Sequence, residues 1–367
     1  MIRGLAALEV CIGHLRGFFL VDYPQTNGGL AAKLFYLFTG LHHQAVMVFF
    51  VLSGFLVGGS VVRLKRAGKW RWEGYLLRRL CRLWIVIVPA LLLTLGWDLL
   101  GMRLNPAAYQ GAFYPQLLSG PINGNDLSPT AFLGNLLFLQ KILVNCFGTN
   151  GPIWSLANEF WYYLLFPLGL QALLRAETLL ARIVALGLIA AICLLLPAAM
   201  LSYGLIWLFG VAAFLALDHP ATSRVASSWP VGGGALIVLA ATLLASRTQL
   251  RFGSDFVIGA AFAVALPFLA RARASSALYR RTGFILSEMS YTFYLAHFPV
   301  LAWLYFTFAA PGQWAFGLLS VAALAGILLA VMVYAAAIWW LFERNTDRVR
   351  AFVAHYLRHP RWRRNHA

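Results

Sequence analysis

Apolar runs of about 20 residues recur along the chain, separated by short polar stretches, as expected of helices that cross a hydrocarbon core about 30 Å thick. They lie at 3–22, 43–62, 82–101, 153–174, 179–199, 201–217, 231–246, 255–271, 286–309 and 314–342. This pattern predicts an all-α, polytopic membrane protein of about ten transmembrane helices. An eleventh stretch, 131–146, is shorter and carries Asn135, Gln140, Lys141 and Asn145. It reads as a short span or a re-entrant piece. The long runs argue against an outer-membrane barrel, whose strands alternate at every second residue.

Charge orients these spans. If 131–146 does not cross, 23 of the 29 lysines and arginines fall on one side and five on the other. The basic side is expected to be cytoplasmic, which places both termini there. If 131–146 crossed, every later loop would invert and the Arg-rich tail would lie outside. Residues 1–345 then form one integral-membrane domain and 346–367 a basic cytoplasmic tail. The outer loop 102–130, rich in Gly, Pro, Asn and Ser, reads as irregular.

Composition narrows the class. With 61% hydrophobic and 11% charged residues and a mean hydropathy of +0.75, the chain is not a soluble enzyme, a disordered protein or a disulfide-stapled module. The net charge of +17 sits in loops where membrane proteins carry it, so no nucleic-acid partner is expected. The cysteines Cys11, Cys81, Cys146 and Cys193 stand apart without a CxxC pair. They read as small apolar residues, with neither a metal nor a disulfide. The first segment holds Arg3, Glu9, His14 and Arg16, which a cleaved signal-peptide core would not, so it reads as a first membrane helix.

Ionisable groups inside a bilayer are costly and are functional candidates by default. Arg3 and His14 are eleven residues apart, so they share a helix face about 16 Å apart along the axis. The pair could be an anchor plus a buried histidine, or a site. Ser53, in the Phe49–Phe55 run FFVLSGF, reads as a packing residue between membrane helices. Arg79 and Arg82 are i,i+3. They serve either as topology anchors or as a phosphate site, since Arg pairs with phosphate through charge-assisted bonds. Ser155 and Glu159 are i,i+4 on one face, and no partner for the carboxylate is evident from the sequence. Tyr291, Tyr294 and His297 follow at spacings of three, with His297 expected at about the depth of His14.

Six segments in order resemble the acyltransferase 3 family of integral-membrane acyltransferases: Arg3–His14, Phe49–Leu56, Arg78–Trp84 (RRLCRLW), Trp154–Pro167 (WSLANEFWYYLLFP), Ser290–Pro299 (SYTFYLAHFP) and Phe342–Arg344. The resemblance implies transfer of an acyl group, usually acetyl, from cytoplasmic acyl-CoA to a carbohydrate hydroxyl, in the cytoplasmic (inner) membrane. The family's first-helix Arg and His fall on Arg3 and His14, its RxxR pair on Arg79 and Arg82, its SLxxE glutamate on Glu159 and its YLxH histidine on His297. Three departures stand out. The Leu-Asp-Gly lead before Arg3 is missing, from a displaced start or a lost lead; Met47 replaces an acidic residue; and Asn345 replaces a proline. No esterase-like outer domain is fused, so any second transfer step falls to a separate extracytoplasmic transferase.

On this reading Arg79, Arg82 and Arg3 hold the acyl-CoA phosphates at the cytoplasmic face. His14 is the general base, since imidazole titrates near neutrality. Glu159 and His297 orient the acceptor or His14, or relay the proton, and Ser53 and Tyr294 are candidate oxyanion donors. Direct transfer and an acyl-enzyme both remain open, and so do lipid-linked sugars, glycolipids and envelope polysaccharides as acceptors. The rival class is a polysaccharide transporter, polymerase or ligase, which needs no CoA site and, for a transporter, often shows inverted repeats.

Overall fold

The computed structural model describes residues 1–23, 26, 28–109, 126–174, 177–246, 251–271 and 277–358. Arg175, Arg247, Arg273, the loop 110–125 and the tail 359–367 with His359 and His366 lie outside the described residues, as do the side chains of Arg251 and Arg280. The described chain is helical, with no strand among the described residues. Its helices are α1 Ile2–Phe19, α2 Gly29–Phe38, α3 His42–Ser53, α4 Gly59–Arg66, α5 Trp72–Leu104, α6 Pro129–Leu136, α7 Trp154–Leu173, α8 Leu179–Leu195, α9 Ala198–Asp218, α10 Pro220–Ala226, α11 Trp229–Ala245, α12 Arg251–Arg271, α13 Ala277–Phe308, α14 Leu318–Leu341 and α15 Thr346–Arg358.

A helix occupies each of the ten apolar segments. Among the described residues, four runs are long and apolar enough to cross a membrane: Gly29–Arg66, Trp72–Leu104, Ala198–Asp218 and Leu318–Leu357. The bent pair α10–α11, with an angle of 57°, would make a fifth. The stretch 131–146 is not one helix. At eight residues α6 is only about 12 Å long, and the chain then turns through positive φ at Phe138 and Lys141. After Arg344 the chain is also helical over Thr346–Arg358, where α15 packs on α5.

Helices α5 and α13 exceed their predicted segments because both begin with a charged head, Trp72–Arg82 and Ala277–Glu288. Hydropathy ends at the charges, but Arg, Leu and Glu continue a helix readily. α1 and α13 run in parallel, with Arg3 bonded to Ser287 and Ser290 at one end and His14 to His297 further along. α5 lies parallel to α13, since Trp97 packs on Trp303 at 4.7 Å between ring centroids and Asn105 Nδ2 donates to Phe306 O.

α3 runs antiparallel to α1. It passes into α4 through a single π-helical turn, Gly54–Gly58, a local widening common at functional sites. Glycine allows the close crossing with α9. A Cβ on Gly54 would lie 1.8 Å from Trp207 O, and one on Gly210 would lie 1.9 Å from Val51 O.

Two helix prolines create a need that the fold meets. Pro167 and Pro299 lack the N–H that would bond the carbonyl four residues back. Tyr75 Oη donates to Tyr163 O at 2.9 Å, and Asn150 Nδ2 donates to Leu295 O at 2.9 Å. α7 and α13 are thereby pinned where they carry Glu159 and His297.

Candidate functional site

α1, α3, α5, α7 and α13 surround a cavity of about 230 Å³. Arg3, Arg79, Arg82 and Glu159 line it, between apolar walls that include Phe49, Leu56, Leu83 and Leu295. Arg82 is exposed, so the cavity opens at that end. Arg3 is fixed to α13: Nε donates to Ser290 Oγ and Nη2 to Ser287 O, both at 2.9 Å. The Arg79 guanidinium lies over the Tyr75 and Tyr163 rings at 5.6 and 5.8 Å from their centroids. Its Nη2 reaches Ser60 Oγ at 3.4 Å, while its buried Nε–H meets no acceptor among the described residues.

Glu159 sits among these cations. Tyr163 Oη donates to its Oε2 at 2.7 Å. That uses the one phenolic proton, so Ser53 donates to Tyr163 Oη at 3.2 Å. Ser53 Oγ accepts in turn from Trp207 Nε1 at 3.1 Å. A directed chain from Trp207 through Ser53 and Tyr163 thus ends on the carboxylate. A second buried carboxylate, Glu343, accepts from Thr292 N at 3.1 Å and Thr292 Oγ1 at 2.6 Å, within electrostatic reach of Arg82 and Arg3.

Tyr294 and Ser155 line the inner end of the cavity. Their hydroxyls are 2.8 Å apart, and Tyr294 donates to Pro152 O at 3.0 Å. The Tyr294 ring stands edge-on to Phe49, with centroids 5.5 Å apart.

Beyond Tyr294 lies the histidine pair. The His297 ring is 6.1 Å from that of Tyr294, about one helix turn further along α13. His297 is fully buried and its Nδ1 is 3.0 Å from Phe293 O. A carbonyl only accepts, so Nδ1 carries the proton. With His297 neutral, its Nε2 accepts from His14 Nδ1 at 2.9 Å. With His14 also neutral, Nε2 is then its basic nitrogen. One imidazole is oriented by a second, the base-and-orienter geometry of nucleophile-activating sites. His42, at the start of α3, packs its ring 5.4 Å from that of His14. A Cβ on Gly13 would fall 2.6 Å from His42 Cβ, so glycine is what lets α3 approach there. Among the described residues no group of three His, Cys, Asp or Glu side chains is placed to hold a metal ion.

The structure therefore sorts the six sequence candidates into two neighbouring groups. Arg3, Arg79, Arg82 and Glu159 share the cavity; His14 and His297 form the pair. Glu159 is on the cavity side, away from the pair. Sequence reasoning missed its partner Tyr163, although a spacing of four residues on one helix could have revealed it. Glu343 fell inside the Phe342–Arg344 segment quoted from the sequence but was given no role there; only the tertiary contact with Thr292 places it beside the cavity arginines. Glu9, noted as an ionisable group in the first segment, accepts from Leu41 N at 2.9 Å. It meets the start of α3, where helix N–H groups favour an anion.

No curated protein and no solved structure matches this chain. Residues 1–342 match the family whose description is "Acyltransferase domain". With its apolar helices and a match over nearly its whole length, the chain is a multi-pass membrane enzyme that belongs to the acyltransferase 3 family.

Proposed function

We propose that this acyltransferase moves an acyl group, acetyl foremost, from cytoplasmic acyl-CoA to a hydroxyl of a carbohydrate or glycolipid. It does so in the cytoplasmic membrane, with ten crossing helices and both termini in the cytoplasm. The observation that carries the reading is the convergence of Arg3, Arg79 and Arg82 on one cavity whose inner end, at Tyr294, lies one helix turn from His297, the hydrogen-bond partner of His14. Guanidinium forks suit phosphate. The buried Arg79 Nε–H offers a further donor to such an anion. Glu159, with its directed hydroxyl chain, holds the arginine cluster together rather than serving as base.

In the transfer step, His14 Nε2 takes the acceptor's hydroxyl proton as that oxygen attacks the thioester carbonyl. The tetrahedral intermediate collapses with cleavage of the C–S bond, and the imidazolium returns the proton to the departing sulfur. His297 holds His14 in the required tautomer. Its role parallels that of the carboxylate in a Ser-His-Asp triad.

The direct test uses the reconstituted protein with acetyl-CoA labelled in its acetyl group, followed by mass spectrometry of envelope glycans. Label appearing on glycan oxygen, and lost in His14→Ala, is the expected result. Absence of acyl-CoA binding would refute the donor. Acyl-CoA binding and hydrolysis without glycan labelling would refute the carbohydrate acceptor.

A further inference from the structure

Tyr291 lines the cavity between the Arg3–Ser290 contact and Tyr294. Its phenolic oxygen is buried and meets no hydrogen-bond partner among the described residues. Its neighbours on the wall are satisfied. Tyr163 donates to Glu159, Tyr294 to Pro152 O, and Ser290 to Ser287 O while accepting from Arg3. Buried polar groups are nearly always paired, and packing alone would be served as well by phenylalanine. The phenol is the exception in a site where every other hydroxyl has a partner.

We propose that the Tyr291 hydroxyl is a substrate-recognition group that donates a hydrogen bond to a carbonyl oxygen, amide or thioester, on the pantetheine arm of the donor. This rests on the acyl-CoA reading above. The charged part of such a donor belongs with Arg3, Arg79 and Arg82. A neutral O–H set between apolar walls, with Phe49 and Leu295 nearby, matches a thin, mostly apolar arm whose polar atoms are isolated carbonyls.

The test compares two probes on the full-length protein: acyl-CoA, and adenosine 3′,5′-bisphosphate, which keeps phosphates but lacks the arm. Tyr291→Phe is expected to weaken acyl-CoA binding roughly two- to tenfold, the value of one neutral hydrogen bond. It should leave bisphosphate binding unchanged and thermal stability equal or higher. Arg82→Ala should weaken both probes. Parental acyl-CoA affinity in Tyr291→Phe overturns the proposal, and so does equal weakening of both probes. If the parent protein binds neither probe, the acyl-CoA reading itself fails.

Discussion

At the scale of single residues, the histidine pair makes two substitutions informative in different ways. His14 commits Nδ1 to His297, so proton transfer falls to Nε2. His14→Gln can keep one hydrogen bond but cannot take a proton. Both His14→Gln and His14→Ala should fold and bind acyl-CoA, yet lose transfer by on the order of 10²–10⁴-fold. Near-parental turnover per folded molecule of His14→Gln would remove His14 from the chemistry. His297 is different, because its task is to accept from His14 while donating to Phe293 O. A glutamine amide can do both and leucine neither. His297→Gln should therefore retain clearly more kcat than His297→Leu, with similar acyl-CoA affinity in both. Equal loss would mean that the contact does not act by orienting His14. On the cavity side, Arg79→Ala or Arg82→Ala should cost about 1.5–3 kcal/mol of acyl-CoA binding, the range for a charge-assisted hydrogen bond. Lysine should restore only part of it, for want of the planar fork. Unchanged binding in both alanine variants would reduce these arginines to topology anchors.

At the scale of the helix, the two motif prolines tie local sequence to tertiary structure. Pro167 leaves Tyr163 O without its intrahelical donor, and the Tyr75 hydroxyl supplies one from α5. Tyr75 is 1% exposed, so water cannot replace it. Tyr75→Phe should destabilise the protein by about 1–3 kcal/mol, the cost of a stranded buried acceptor. That loss should lower the thermal unfolding midpoint in detergent, and an unshifted midpoint would show that the carbonyl finds another donor. The helices that fill the ten apolar segments were legible in sequence because hydropathy marks them, whereas α2, α10 and α15, short or charged, were not. The face shared by Arg3 and His14 was legible because helix periodicity fixes it. The heads of α5 and α13 were not, since charge hides a continuing helix from a hydropathy reading. The π-turn at Gly54–Gly58 carries no compositional mark beyond its glycines. The His14–His297 contact joins positions 283 residues apart; sequence placed them at similar depth but could not bring them together. Glu159 shows the same limit: its candidacy came from an apparent lack of partners, whereas Tyr163 waits one turn away on the same helix.

At the scale of the whole molecule, the proposed orientation of the bundle rests on parity. α6 is about 12 Å long, far short of the roughly 30 Å it would need to cross, and its continuation turns instead of extending the helix. That supports leaving 131–146 out of the crossing count. In the proposed ten-crossing arrangement the chain returns to the side on which it began, and 23 of the 29 lysines and arginines gather there. This is the distribution expected of a cytoplasmic face. The proposed arrangement would also put the open, Arg82 end of the cavity on the side of the proposed cytoplasmic acyl-CoA, and the far end of the bundle, where His42 begins α3, toward the proposed acceptor. The two sides can be separated with cysteines placed at exposed positions, in a protein whose half-buried Cys146 and Cys193 are changed to serine. Lys33→Cys should react with a membrane-impermeant maleimide in intact cells. Ala351→Cys, on α15, should react only after permeabilisation. Labelling of Ala351→Cys from outside would overturn the ten-helix arrangement. The same result would move the arginine-lined mouth away from the cytoplasm, and the assignment of acyl-CoA to it would fall with the topology.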